Sequence, residues 1–404
     1  MLPIENLSEK QLGEVRIACS YLFSPELARD DEFVINLDLA SIKDAFEQKE
    51  KRYDPLLHPD ESEVMIQKRK ERLIKIKQSY ETVIPYIFQE EKISPRQNLR
   101  KSRIIAVGGA KGGIGKSIFA TNLGIYLSSL GKRTVMVDLD LGGPNLHLYL
   151  GEWFLKYNIN DYLNKNVSSI SDIIVSTKYG PELAGGGSSQ LGSANIHFSR
   201  KLKLLRAIKQ IDADYIIIDL GADTSYNIID FFLAADHPVV LTTCDPASYL
   251  DAYNLIKVAL FRKLNRIFGP ESELRKHKDP DLLSFIKEAT LPGNGNEGKI
   301  IGDLVERVKN QLPQGLPLIE HVLETYRPGL VVNMIYDNDN VSDVVNRVQE
   351  VSKKMLTVAV DYLGSIDYQP GIKQSTQDLI PVISKEPEGY LSECIREILD
   401  VIVN

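Results

Sequence analysis

From residue 103 onward the chain alternates short, almost continuous apolar runs with longer mixed segments. RIIAVGG, KRTVMVDLDL, PELAGGG, YIIIDL, PVVLTT, GLVVNMIY and DYLGSIDY each have the length and apolar content of a strand buried on both faces. Between the first two lies KSIFATNLGIYLSSLG, a helical segment ended by Gly131. Strand, helix and strand in that order form a βαβ unit, which has parallel strands and a right-handed crossover. Its repetition predicts an α/β fold, a doubly wound and mostly parallel sheet flanked by helices. The rhythm breaks between DAYNLIKVALF and GLVVNM, where residues 262–326 are charged and carry LPGNGNEGK. This stretch is expected to be a helical insertion on the rim of the sheet.

Residues 1–92 follow another pattern, charged and helical. In IQKRKERLIKIKQSYETVIPYI the apolar positions Ile66, Leu73, Ile76, Tyr80, Val83 and Ile87 recur at helical steps and form one stripe on a basic helix. Residues 93–102, polar and basic with one proline, are expected to link this all-α module to an α/β domain over 103–404. The chain closes on GYLSECIREILDVIVN, whose Leu391, Ile395, Ile398 and Ile402 share a stripe. A membrane-surface helix carries lysine and arginine on its polar face. This one sets Glu393, Glu397 and Asp400 against Arg396, so it is expected to pack on its own domain, with membrane binding weak or absent.

Composition narrows the function classes. The 404 residues are 43% hydrophobic and 25% charged, enough for a substantial α/β core. A net charge of −7 speaks against a dedicated nucleic-acid binder. Cys19, Cys244 and Cys394 lie far apart with no metal-ligand spacing, and fit buried thiols in a reducing cytosol. The start, MLPIENLSEK, lacks the basic segment and apolar block of a signal peptide. No apolar run approaches the ~20 residues that span a bilayer. The expectation is a cytoplasmic protein.

The chemistry concentrates in GGAKGGIGKS, residues 108–117. A glycine loop between a strand and a helix gathers backbone N–H groups at the positive end of the helix dipole, which is an anion site suited to phosphates. Gly112, Gly113 and Gly115 permit the tight path. Lys116 is placed to reach the β- and γ-phosphates of ATP, and the Ser117 hydroxyl to ligate Mg²⁺. Carboxylates for the metal and the attacking water should stand at neighbouring strand ends. VMVDLDLGG supplies Asp138 and Asp140, and YIIIDLGAD supplies Asp219 and Asp223. Asp219, ending an apolar strand, holds the position of the metal-side acid in P-loop NTPases. Asp223 reads equally as a turn residue.

KGGIGKS resembles the deviant Walker A loop, KGGxGK[ST], of the MinD/ParA superfamily, which tolerates a non-glycine where Ala110 stands. The resemblance implies that Lys111 reaches across an ATP-bound homodimer to the partner's phosphates. It also implies that Asp140, in the switch-I-like DLDLGGPNLHLYLG, positions the attacking water. DLGADTS is similar to switch II. The implied nucleotide-binding set is Lys111, Gly112, Gly113, Ile114, Gly115, Lys116, Ser117 and Ile118, with Lys111, Lys116 and Asp140 catalytic and Ser117, Asp140 and Asp219 around Mg²⁺. TTCDPASYLDAYNLIK, LVVNMIYD and the closing YLGSIDYQPGIKQSTQDLIPVISKEPEGY resemble the FlhG/FleN branch, which makes Asn333 the residue expected at the adenine. His147 stands where that family usually has an acid.

IKDAFEQKEKRYDPLLHPDESE followed by IKQSYETV resembles a J-domain, whose second helix ends in a His-Pro-Asp loop. His58, Pro59 and Asp60 match the tripeptide, and Tyr80 is spaced to pack back on the second helix. The segment from Phe46 to His58 is longer than usual, and proline interrupts it. This resemblance implies a contact with a DnaK-type chaperone. Three readings follow: an ATP-dependent dimerising switch that positions a partner machine, an adaptor that recruits a chaperone, and a nucleotide-binding scaffold with negligible turnover.

Overall fold

The computed structural model describes residues 9–30, 33, 34, 37, 39–58, 61–87, 102–140, 143–187, 198–267, 297–311 and 313–403. The chain divides into two compact units, residues 1–99 with 197–203, and residues 100–196 with 204–404.

Among its described residues the N-terminal unit has three principal helices, α1 (Glu9–Leu22), α2 (Leu39–Tyr53) and α3 (Glu63–Ile87). Its core is drawn from one face of each. Val15, Cys19 and Leu22 come from α1, Ile42 from α2, and Ile76, Tyr80 and Val83 from α3. Tyr80 packs against Phe46 of α2 with tilted rings, centroids 4.4 Å apart. Of the predicted α3 stripe, Ile66 and Leu73 are only half-buried, and the Ile87 side chain lies outside the described residues. The helix α2 stops at Tyr53 because Pro55 lacks an N–H and disfavours helical backbone at the residue before it. A 3₁₀ turn over Pro55–Leu57 follows.

The second unit is built on a sheet with order β3-β4-β2-β5-β1-β6-β7-β8. Its strands are β1 (Arg103–Gly108), β2 (Thr134–Leu139), β3 (Ile174–Ser176), β4 (Glu182–Ala184), β5 (Tyr215–Leu220), β6 (His237–Thr242), β7 (Gly329–Ile335) and β8 (Asp361–Asp367). Among the described residues, β3 against β4 is the antiparallel pairing and the other strand pairs run parallel. The seven runs read as strands are strands. The three-residue β3 was not foreseen, because its apolar run, Ile173 to Val175, is too short to stand out as a strand. The continuous apolar runs reflect a sheet covered on both sides: Ile104 and Ala106 enter one core, while Ile105 and Val107 enter the other.

Among the described residues the principal helices of this unit are α4 (Lys116–Ser129), the part of α5 (Phe198–Lys209) from Leu204 on, α6 (Tyr226–Phe232), α7 (Pro246–Ile267), α8 (Glu297–Gln311), α9 (Leu316–Thr325), α10 (Val341–Val351), α11 (Pro370–Asp378) and α12 (Tyr390–Val403). Helix α12 buries Leu391, Ile395, Ile398 and Ile402 in the core that also holds Phe119 and Leu123 of α4. In the region read as an insertion, α7 runs on to Ile267. Beyond it Ile301, Leu304 and Val308 of α8, and Ile319 and Val322 of α9, join the larger core. Residues 268–296 of that region lie outside the described residues.

A buried charge shapes the same layer. Asp230 of α6 is fully buried, and Arg262 of α7 grips both of its oxygens at 2.7 and 2.9 Å. Arg266 adds a further bond at 2.7 Å. A carboxylate without water is tolerated because these guanidinium groups replace its hydration. Among the described residues no helix is long and apolar enough to cross a membrane.

Candidate nucleotide site

The chain leaves the central strand β1 at Gly108 and enters α4 at Lys116, so the glycine loop lies at the carboxyl end of the sheet. Successive crossovers leave to opposite sides there, the usual position of a ligand crevice in an open α/β sheet. Gly113 and Gly115 adopt φ of +78° and +90°, backbone that a side chain would strain. At Gly115 a Cβ would also lie 2.5 Å from Asn333 Nδ2. The loop and Asn333 are bonded, with Nδ2 donating to the Ile114 carbonyl at 2.8 Å. Asn333 precedes Met334, whose φ of +57° marks a break in the β7–β8 register. Asn333 therefore braces the loop from a neighbouring strand, a role that the sequence reading of a base contact did not include. It also lines the cleft.

The two lysines of the loop go to different places. Lys116 is buried, and its Nζ donates to the Lys111 carbonyl at 3.0 Å. Burial lowers its pKa, against the nearby carboxylates of Asp219 and Asp140, which favour the charged form. Lys111 is half-exposed and pairs through Nζ with the carboxylate of Asp245, just before α7. That bond from Lys111 holds the Asp245 carboxyl below its ordinary range. Sequence reasoning missed Asp245, which lies 134 residues further along the chain.

The carboxylates also divide. Asp138 is fully buried and does not line the cleft; it accepts from the N–H groups of Asp140 and Leu146, both at 3.1 Å. It thus pins both ends of the segment that follows β2, of which residues 141 and 142 lie outside the described residues. Burial, then the charge of Asp219, pushes its carboxyl up. Asp140 lines the cleft and accepts from the Gly143 N–H at 3.2 Å. Asp219, next to last in β5, is in register with Val107 of β1 and Asp138 of β2. Burial pushes its carboxyl up to about 7, opposed by the Ser117 hydroxyl and by Lys116. Asp223 accepts from the Ser225 N–H at 2.8 Å, as a turn residue does.

Ser117 and Asp219 offer adjacent hard oxygen donors, and Asp219 Oδ1 is a buried acceptor without a hydrogen-bond partner. That donor set fits Mg²⁺, which takes one or two protein oxygens and completes its shell with phosphate oxygens and water. Among the described residues no group of three or more His, Cys, Asp or Glu could hold a metal by itself.

The cleft has a volume of about 660 Å³, within the ordinary range for a small-molecule site. One end is the loop: Gly112, Gly113, Gly115, Lys116, Ser117 and Ile118. The other end mixes aromatic and apolar side chains with the polar Asp367, Gln369, Lys373 and Thr376. Tyr336 and Tyr368, just beyond β7 and β8, stack with centroids 4.8 Å apart, and Met334 and Ile372 adjoin them. The tyrosine pair was not foreseen; its signal is a tyrosine directly after each of two strands. His147 is half-buried, with burial lowering its pKa and Nδ1 left without a partner. In the N-terminal unit, His58 closes the 3₁₀ turn, its N–H bonded to the Pro55 carbonyl at 3.2 Å. Pro59 and Asp60 lie outside the described residues.

Comparison with known proteins places this geometry. Residues 105–382 match the CobQ/CobB/MinD/ParA nucleotide binding domain. The septum site-determining protein MinD of Helicobacter pylori is 31% identical over 175 residues, 43% of this chain and 64% of that protein. The antiactivator FleN of Pseudomonas aeruginosa is 31% identical over 170 residues, 41% of this chain and 58% of that one. The chain thus spans less than two thirds of the length of these curated relatives. The cell division ATPase MinD of Pyrococcus furiosus shares the fold, with a TM-score of 0.50 at 19% identity over 74% of this chain and 98% of that one.

Proposed function

The chain belongs to the CobQ/CobB/MinD/ParA nucleotide-binding family, and from that premise we propose that it is a slow ATPase whose ATP-bound form is a homodimer that positions or regulates a partner machine in the cytoplasm. The observation that carries this reading is the division of labour within one loop. Lys116 is turned into its own cleft, whereas Lys111 is half-exposed, does not line that cleft, and lies on Asp245.

The loop N–H groups and Lys116 would bind the phosphates, while the Tyr336–Tyr368 stack would take the adenine face. Mg²⁺, held by Ser117 and Asp219 with Asp140 near, would neutralise phosphate charge. Asp140 would accept a hydrogen bond from the attacking water and so orient it. Asp138 holds the segment that carries Asp140 in place. Lys111 of one copy would stabilise charge developing in the site of the other, as a cation delivered in trans does. Phosphoryl transfer of this kind needs positioning and charge stabilisation, not a covalent intermediate.

Size-exclusion chromatography of Asp140→Ala tests the switch. The variant should hold ATP and elute as a dimer with ATP and Mg²⁺ and as a monomer with ADP. A monomer under both conditions overturns the proposal. The relatives' names, a septum site-determining protein and an antiactivator, support a positioning or regulatory role for the dimer.

A second reading rests on the N-terminal unit, where Tyr80 of α3 packs against Phe46 of α2 and His58 follows the turn after α2. A J-like module there would recruit a DnaK-type chaperone. His58→Gln should then abolish stimulation of such a chaperone's ATPase while leaving this chain's own hydrolysis intact; no stimulation by the unaltered protein removes the reading.

A further inference from the structure

A second concave surface lies wholly within the N-terminal unit, between the end of α2 and the first turns of α3, with a volume of about 790 Å³. Lys51, Arg52, Lys68, Arg69 and Arg72 line it, and no carboxylate does among the described residues. Arg69 is matched by Glu61, with Nη2 donating to Oε1 at 2.7 Å. The crowding of like charge is felt nearby. Burial, then the charges of Arg72 and Arg52, holds the Lys49 ammonium below its usual range. Residues 49–77 carry nine lysines and arginines against six acids, in a chain whose net charge is −7. A concave cluster of one sign concentrates field and attracts its complement.

The groove is not only charged. Leu57, on the 3₁₀ turn, is 60% exposed, and Met65, in the first turn of α3, is 47% exposed. Both line the same concavity, beside Tyr53. An apolar patch rimmed by cations matches a ligand that carries acids around an apolar anchor. A nucleic-acid strand would satisfy the cations and set sugar and phosphate against Leu57 and Met65. An acidic peptide satisfies both sets of residues.

We propose that this groove docks an acidic peptide segment of a partner protein, with carboxylates on Lys51, Lys68 and Arg72 and one apolar side chain against Leu57 and Met65. Recognition of acidic segments by basic clusters is an established mode of peptide binding. The site is independent of the nucleotide cleft, and failure at either leaves the other standing.

The test titrates the full-length protein into a fluorescein-labelled synthetic peptide repeating Asp-Glu-Leu and reads anisotropy. Saturable binding that weakens as salt rises is expected. The double variant Lys51→Glu/Lys68→Glu, both positions exposed, should lose about tenfold in affinity. Leu57→Ser, or a peptide repeating Asp-Glu-Ser, should lose about threefold through the apolar contact. Far-UV circular dichroism and melting temperature should match the unaltered protein, which separates lost binding from lost folding. Absence of saturable binding overturns the proposal, as does equal binding by the variants. Oligothymidylate that binds more tightly than the peptide and is lost in the same double variant would make the groove a nucleic-acid surface and also overturn it.

Discussion

Two concave surfaces of this chain carry lysine, and they use it in opposite ways. In the nucleotide cleft Lys116 is buried between carboxylates, on a loop whose path is set by two glycines at positive φ and braced by Asn333. In the N-terminal groove the lysines are exposed on helices, with no carboxylate lining the surface among the described residues. The first arrangement has fixed geometry and low access to water, so each group acts strongly on a small anion of defined shape. The second keeps its cations hydrated, so each contributes little and salt weakens them all. A fixed site should therefore fail abruptly under substitution, and a hydrated one by degrees.

Lys116→Ala is the strongest test of the fixed site. Hydrolysis should fall by about 10²–10³-fold, as when one preorganised charge-stabilising group is removed, measured as phosphate release. A loss of only a few-fold would mean that the cleft is not the catalytic one. Gly115→Ala comes next. It places a Cβ at φ +90° and 2.5 Å from Asn333 Nδ2, so stability should drop by about 1–3 kcal/mol, read as a lower urea midpoint, with weaker ATP binding. The same protein carrying Lys51→Glu/Lys68→Glu should hydrolyse ATP at the unaltered rate, which marks the two surfaces as separate; a coupled loss breaks the comparison. The smallest effect belongs to Asp245→Asn. Its pair with Lys111 is exposed on both sides, so release of Lys111 should lower the protein concentration for half-maximal ATP-dependent dimer by about threefold. A higher concentration would instead give Asp245 a part in the dimer contact.

Much of the fold was legible because buried parallel strands write themselves as unbroken apolar runs. YIIIDL and RIIAVGG have no other plausible reading beside a glycine loop and a helix. The short β3 was illegible because its IVS is half-exposed and paired at the sheet edge. Lys116, Ser117 and Asp219 were legible from the loop and a strand end, and the structure brings them together. What pattern could not separate was Asp138 from Asp140. They stand two residues apart at the end of one strand, Asp138 inside β2 and Asp140 just after it, and only the burial of Asp138 against the Leu146 N–H shows that it holds the segment while Asp140 faces the cleft. The partnership of Lys111 with Asp245, the brace from Asn333, and the pairing of Tyr336 with Tyr368 join distant stretches of chain, where local sequence carries no signal.

The central claim is that Lys111 acts in trans, and mixing two inactive variants tests it most directly. Lys111→Ala lacks the cation for its neighbour's site, and Asp140→Ala lacks the water-orienting acid of its own. In a mixed dimer, the site of the Lys111→Ala copy keeps its Asp140 and receives Lys111 from the other copy. The account predicts that each variant alone releases almost no phosphate and that the mixture recovers a substantial part of the unaltered rate. A mixture as inactive as its components would contradict it.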